Sequence, residues 1–225
     1  MAIQHGVPGE WARVRGTVLS LWPLFAAFTC LGAFAAALVL GRCTLLFAVL
    51  FFASLVMVAA LWRRGVRRVV SFFVGARGEE RVANLLAALP GSYHVFHDFV
   101  ADGSPVDHVV VGPTGVFAVE TKNWRGEVTL EEGHVLVDGR LADRSPLQQT
   151  VREADAVATE LAKAGWTGSV MPVLCFASDT FAQGPTAAGS ACLVNAKDLS
   201  GWLLARPETL AANELERLVK LVDVH

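Results

Sequence analysis

The sequence predicts an α/β domain with helices on both faces of its sheet, preceded by a transmembrane helical hairpin. Three observations predict it. The first is a pair of long stretches near the N-terminus with no charged side chain, from Gly16 to Gly41 and from Cys43 to Trp62. The second is a pair of β-rich runs, Val106–Val111 and Val116–Lys122, joined by Gly112-Pro113-Thr114-Gly115. Both are apolar on both faces, and such strands need helices on each side of the sheet. The third is composition. A chain of 225 residues that is 53% hydrophobic and 18% charged, with mean hydropathy +0.46, must place part of itself in something other than water.

Residues 1–68 form the predicted membrane hairpin, with spans at Thr17–Leu40 and Thr44–Trp62. A bilayer core of roughly 30 Å needs about 20 apolar residues as a helix, because unsatisfied backbone groups do not survive in hydrocarbon. The connection Gly41-Arg42-Cys43 is short enough to make the two spans antiparallel neighbours, and Trp22 and Trp62 fall on the same side as interfacial anchors. Arg13 and Arg15 precede the first span, Arg63, Arg64, Arg67 and Arg68 follow the second, and the turn carries only Arg42. The positive-inside rule then puts both termini and the following domain in the cytoplasm. The expected location is a two-pass protein in the cytoplasmic membrane of a bacterium, held in the lipid bilayer through residues 17–62. The first span does not read as a cleaved signal peptide, since a second span follows it at once. A soluble apolar helical hairpin is the competing reading. The Arg63–Arg68 run reads as topology setting and contact with anionic lipid, with nucleic-acid contact as its alternative.

Residues 69–225 read as the cytoplasmic domain. Gly75–Leu89 shows helical spacing at Val82, Leu85, Leu86 and Leu89 and ends at Pro90-Gly91. Tyr93–Val100 is a strand, and the two runs around Gly112–Gly115 form a hairpin. Glu127–Glu131 and His134–Asp138 make a second strand pair around Glu132-Gly133. Pro146–Ala164 is a helix with Ser145 as N-cap, proline in its first turn and Gly165 beyond its end. Val170–Ala177 is a buried strand and Ala191–Asn195 a short one; Asn195 is placed to cap a helix through Leu204. Glu208–Val222 is a terminal amphipathic helix, and Asp179–Gly189 is the one long irregular stretch.

Charge and cysteine content exclude several classes. Residues 1–68 hold seven arginines against Glu10 alone, a balance of +6, whereas residues 69–225 hold twelve basic against twenty acidic residues, a balance of −8. Such a domain has no global attraction for nucleic acid, so that role requires a local patch or a metal. Cys30, Cys43, Cys175 and Cys192 make no C-x-x-C pair, and neither a zinc site nor a disulfide framework is implied. His94 and His97 lack a second pair at ligand spacing, and His108 reads as a packed histidine. No P-loop, nucleophile elbow or dinucleotide fingerprint is present.

The central hairpin carries the chemistry. If Val111 and Val116 close the loop, partners across the strands have numbers summing to 227, and Asp107 faces Glu120 with Lys122 on the same side. Opposed carboxylates repel, and sheets avoid such pairs unless something compensates. A divalent cation, Mg²⁺ or Mn²⁺, held by hard oxygen ligands would compensate them. Two acids and a lysine at one strand end suit metal-assisted phosphodiester hydrolysis. A surface salt bridge at a strand end is the other reading of the same spacing. Trp124 and Arg125 follow in a loop, where they suit either base stacking and phosphate contact or cover for the sheet edge.

The residues also resemble a known family. Gly75-x-x-Gly78-Glu79, then Val106-Asp107-His108 through Gly112-Pro113, then Gly115 through Lys122-Asn123-Trp124-x-Gly126, are similar to the nuclease-related domain, NERD, over about Phe73 to Ala164. That family looks related to the PD-(D/E)xK nucleases; here Val106 precedes Asp107, with Pro105 one residue earlier. The resemblance implies a restriction-endonuclease-like α/β/α core with a mixed sheet, and Asp107, Glu120 and Lys122 as its acidic–acidic–basic triad. It also implies Glu79 as a third metal-reaching carboxylate. Pro146-Leu147-x-Gln149 resembles the family's Pro-x-x-Gln element, which puts Gln149 against substrate or the lysine. The implied activity is Mg²⁺- or Mn²⁺-dependent cleavage of DNA or RNA at the membrane. The alternatives are a catalytically silent module that binds nucleic acid or a protein partner there, or a purely structural membrane protein.

Overall fold

The computed structural model describes residues 1–41, 45–142 and 144–223. It divides into two units, Ala12–Val74 and a second made of Met1–Trp11 with Gly75–His225. The division therefore falls elsewhere than 1–68 and 69–225, because the first residues join the α/β unit.

The first unit is a helical pair. Helix α1 runs Glu10–Val39 and α2 runs Leu45–Leu86. Phe34 stacks on Phe51 at 4.3 Å between ring centroids, and the Ser54 hydroxyl reaches Cys30 Sγ at 3.4 Å. These contacts climb one helix as they descend the other, so the pair is antiparallel. Helix α1 is long and apolar enough to cross a membrane, and its most apolar stretch is only 11% buried, unlike the core helix of a soluble protein. Among the described residues the apolar part of α2 covers Phe47–Ala60, shorter than a span. The predicted connection Arg42-Cys43 lies outside the described residues. Helix α2 does not break at the arginine run, since arginine is a good helix former and no proline interrupts it.

The α/β unit is built on a seven-stranded mixed sheet. Its strands are β1 (Ile3–His5), β2 (His94–Ala101), β3 (Ser104–Gly112), β4 (Gly115–Lys122), β8 (Val170–Phe176), β9 (Thr186–Ala188) and β10 (Ala191–Asn195). Their order is β1-β2-β3-β4-β8-β10-β9. The pairs β1–β2, β4–β8 and β8–β10 are parallel, and the other three are antiparallel. Between β4 and β8 the chain forms a small sheet of β5 (Val128–Glu131), β6 (His134–Val137) and β7 (Arg140–Leu141), then helix α3 (Pro146–Lys163). Helices α4 (Ala196–Leu204) and α5 (Ala212–Asp223) complete the unit.

Helices cover both faces, as the two-sided apolar strands require. On one face Val82 and Leu86 of α2 and Leu199 and Leu203 of α4 pack on Val95, Val110, Phe117 and Val173. On the other, Val157 and Leu161 of α3 and Leu218 of α5 pack on Val109, Val111, Val116 and Ala118. A third cluster, centred on Phe176, Phe181, Val128 and Val135, fastens the small sheet to the large one. The Ser145 hydroxyl accepts from the Gln148 N–H, so α3 begins as its sequence predicts. Asn195 stands at the N-cap of α4 without capping it; its amide bonds the Phe181 N–H and C=O instead.

Strand β1 docks through histidines. The His97 Nε2 bonds Gln4 Oε1 at 2.6 Å and its Nδ1 bonds His108 Nδ1 at 2.8 Å. Burial, aided by nearby His5, pushes His97 down to about 4, and burial holds His108 well below the usual histidine value of 6.5. Both stay neutral in the fold while the unfolded chain takes up protons below 6.5. Stability is therefore lost as pH falls through this window, by about 2 kcal/mol for His97 between about pH 7.5 and 5. Thermal unfolding of wild type and His97→Gln across that range checks this: the substitution should flatten the pH dependence.

Candidate active site

The hairpin register is the predicted one, with Val111 opposite Val116 and His108 opposite Val119. The ladder stops there. The Asp107 carboxylate takes the Thr121 N–H through Oδ2 at 2.7 Å, replacing the backbone bond that an Asp107–Glu120 pair would continue. On its other side, β3 pairs with β2 at His97–His108 and resumes at Phe99–Val106. The interruption coincides with Asp98, which has φ of 50° in the left-handed region. The β4 ladder thus ends before Asp107 and the β2 ladder skips it, so neither neighbour pairs with Asp107 where the acids gather.

Glu120, buried on β4, accepts from the Lys122 ammonium and from Gln149 Nε2, the latter at 2.8 Å. Lys122 also donates to Gln149 Oε1 at 3.0 Å. Gln149 lies in the first turns of α3, so the N-cap and Pro146 fix where its amide reaches. That amide donates again, to Glu153 Oε1 at 2.8 Å. Glu79, buried on the part of α2 within the α/β unit, acts on Asp107 through its charge.

The sequence brings Asp107, Glu120, Lys122, Gln149 and Glu79 to one place, and the structure adds Glu153. It sits one turn beyond Gln149 on the same face of α3, which the spacing of four residues would have signalled. Its second oxygen, Oε2, is buried with no hydrogen-bond partner. Burial and the neighbouring Glu120 push Glu153 up to about 8. Burial, then Glu120 and Glu79, raise Asp107 well above the usual carboxylate range, and the Thr121 N–H only partly offsets them. Burial opposes the charge on Lys122, yet Glu120, Asp107 and Glu153 outweigh it and raise its pKa above 10.5. The carboxylates thus favour the charged form of Lys122, which suits it to holding a phosphate oxygen.

Four carboxylates share one lysine, and burial with like charge favours the protonated forms of Asp107 and Glu153. Their hard oxygen donors suit Mg²⁺ or Mn²⁺. Among the described residues no three His, Cys, Asp or Glu side chains converge into a ready metal cage.

Gly78 explains the first glutamate's placement. A Cβ at this position would lie 2.6 Å from Asn123 Cβ and 3.3 Å from Ala177 Cβ, so only glycine lets α2 close on the strand ends beside the site. Gly78→Ala should cost about 1–3 kcal/mol and move Glu79 away from Asp107. Thermal unfolding with a catalytic assay would read both effects.

A 67-residue stretch is 40% identical to an uncharacterized protein of Bacillus anthracis, covering 27% of this chain and 32% of that relative. The chain thus matches about a third of the relative's length. No solved structure matches the chain. Glu79, Asp107, Glu120, Lys122, Gln149 and Glu153 all lie within residues 74–177, the segment that matches the family model of the nuclease-related domain, NERD.

Proposed function

We propose that the chain is a membrane-anchored nuclease-like protein that hydrolyses phosphodiester bonds in DNA or RNA with Mg²⁺ or Mn²⁺. The observation that carries this reading is the bonded cluster of Glu120, Lys122 and Gln149 beside Asp107, where strands β3 and β4 part. Asp107, Glu120 and Glu79 would hold the metal, which supplies Lewis-acid activation of the phosphate and of a bound water. Lys122 binds a non-bridging phosphate oxygen and offsets the charge that grows there. Gln149 fixes the Glu120 carboxylate and the Lys122 ammonium relative to each other, which limits the reorganisation needed during reaction. The family match supports a nuclease-related role in general.

The anchor belongs to the same proposal: spans at 17–40 and 44–62, with the α/β unit cytoplasmic. The antiparallel pairing of α1 and α2 and the flanking arginines support it. Labelling of single cysteines introduced at Gly41 and Ser104 in intact cells tests the topology. Reaction of the first alone with an impermeant reagent is expected, and reaction of the second overturns it.

Cleavage by the full chain in detergent micelles tests the activity. Single- and double-stranded DNA and RNA should be cut with Mg²⁺ or Mn²⁺, not with a chelator, and Asp107→Asn should abolish cutting. Metal-independent cleavage would sink the metal mechanism. A silent binding module is the second reading, favoured by the lack of a ready metal cage among the described residues. Thermal unfolding with added Mn²⁺ separates the two: a nuclease gains stability by mass action, and a module without a metal site does not.

A further inference from the structure

A cleft of about 660 Å³ opens beside the cluster and shares Lys122 and Gln149 with it. Trp124, Arg125, Arg140 and Arg144 line it further out, and among the described residues no acidic side chain lines it. Four of the twelve cationic side chains of residues 69–225 therefore converge on one cleft of a unit that is acidic elsewhere. Arg125, Arg140 and Arg144 are exposed and make no ion pair among the described residues. Unpaired like charges held together repel one another, and a polyanion laid along them removes that cost. The N-terminal end of α3 borders the same cleft and adds the positive end of its helix dipole. Trp124 differs from the arginines. Its ring is half-buried and tilted against Phe176 at 6.1 Å, within the third hydrophobic cluster, so it offers the cleft a fixed aromatic surface.

We propose that this cleft is the track for a single strand of nucleic acid, with phosphates on Arg125, Arg140 and Arg144 and a base stacked on Trp124. The strand then leads a phosphodiester to Lys122 and the carboxylates at the inner end, an orientation that rests on the nuclease reading. Paired bases have no free face for Trp124, whereas unpaired ones do, which selects single strands over duplex. The small sheet becomes a substrate-binding insertion that supplies Arg140, and Arg144 joins it from just before α3.

Fluorescence anisotropy with the full chain in micelles and excess chelator tests binding without cleavage. The probes are labelled DNA and RNA strands of about 16 nucleotides and a DNA duplex of the same sequence. Single strands should bind about tenfold or more tighter than duplex, and the DNA and RNA arms show which sugar is preferred. The double substitution Arg140→Ala/Arg144→Ala should weaken single-strand binding about tenfold and lower the log–log salt slope by about 1.4, two phosphate contacts at about 0.7 each. Trp124→Ala should weaken binding about fivefold or more with the salt slope unchanged. Arg140→Lys/Arg144→Lys should keep most of the salt slope, and Lys197→Ala and Arg217→Ala should leave affinity as in wild type. Equal affinity for duplex, absence of single-strand binding, or an unchanged affinity in the Arg140/Arg144 double variant each overturns the track. Binding that depends on the cleft without any cleavage in Mg²⁺ or Mn²⁺ would instead overturn the nuclease reading and leave the track standing.

Discussion

Replacing Lys122 with methionine should lower kcat for phosphodiester cleavage by about 100-fold or more while leaving substrate affinity within a fewfold of wild type. Methionine keeps most of the apolar stem of lysine and removes the ammonium with its charge and donors, so the change isolates that group. That ammonium is held by Glu120 and Gln149 and lies where the cleft meets the carboxylates. A charge that is already in place needs no reorganisation when negative charge grows on the phosphate, and loss of one such group typically costs about 10²–10³ in kcat. Affinity should change little if, as proposed, Arg125, Arg140 and Arg144 carry most of the phosphate contact. The same substitution should destabilise the α/β unit by about 2–3 kcal/mol, since it leaves Glu120, Asp107 and Glu153 without their cation. The side chain is 19% exposed, which keeps this below the cost of breaking a fully buried pair. The sign follows from the raised lysine pKa: the pairing contributes below the ordinary 10.5 while its carboxylate partners are ionised, and is lost as pH rises through the folded value. The stability difference between wild type and Lys122→Met should therefore persist across the neutral range. Stopped-time cleavage assays and thermal unfolding measure the two effects. Lys122→Arg should recover most of the stability and less of the rate, because the planar guanidinium presents its charge differently. Unaltered kcat in Lys122→Met would remove the lysine from the mechanism.

The hairpin and its register were legible because Gly112-Pro113-Thr114-Gly115 is a compact turn between two β-branched runs, so that Val111 meets Val116 across it. The end of the ladder was not legible. Nothing in a strand pattern says that the Asp107 side chain will take the Thr121 N–H and part the strands, because that is a competition between side chain and backbone for one donor. Glu153 escaped for a different reason. Its spacing from Gln149 marked the face of α3, but which face meets the sheet is decided by the crossover between β4 and β8, a long-range choice. Strand β1 was hidden by its shortness and its polar Gln4 and His5, whose partners His97 and His94 lie about ninety residues away. The two-residue strand β7 was hidden likewise, and with it the placement of Arg140 beside Arg125. Ser145 and Pro146 could be read directly, since a helix start is written in local backbone chemistry.

Phe176→Ala should remove about 3–5 kcal/mol from the α/β unit and lower its unfolding midpoint by about 10 °C. Phe176 is fully buried at the end of β8, paired in register with Lys122 of β4. Its ring stacks on Phe181 at 5.5 Å and backs Trp124 at 6.1 Å, so it joins the large sheet to the small one. Alanine would leave a cavity walled by Val128, Val135 and Leu174, strand residues whose backbones are fixed by sheet pairing and cannot collapse to fill it. The consequence for function is separate from the loss of stability. Well below the midpoint the variant remains folded, yet the wall that carries Arg140 and the ring of Trp124 lose their common support. Single-strand binding should weaken by about as much as in Trp124→Ala, whereas Lys122, Gln149 and Glu120 keep their mutual bonds. Phe176→Leu, which refills most of the volume, should restore the midpoint to within a few degrees and recover part of the affinity. A variant that lost stability but bound single strands as wild type would show that the small sheet is held to the cleft by something other than this aromatic cluster.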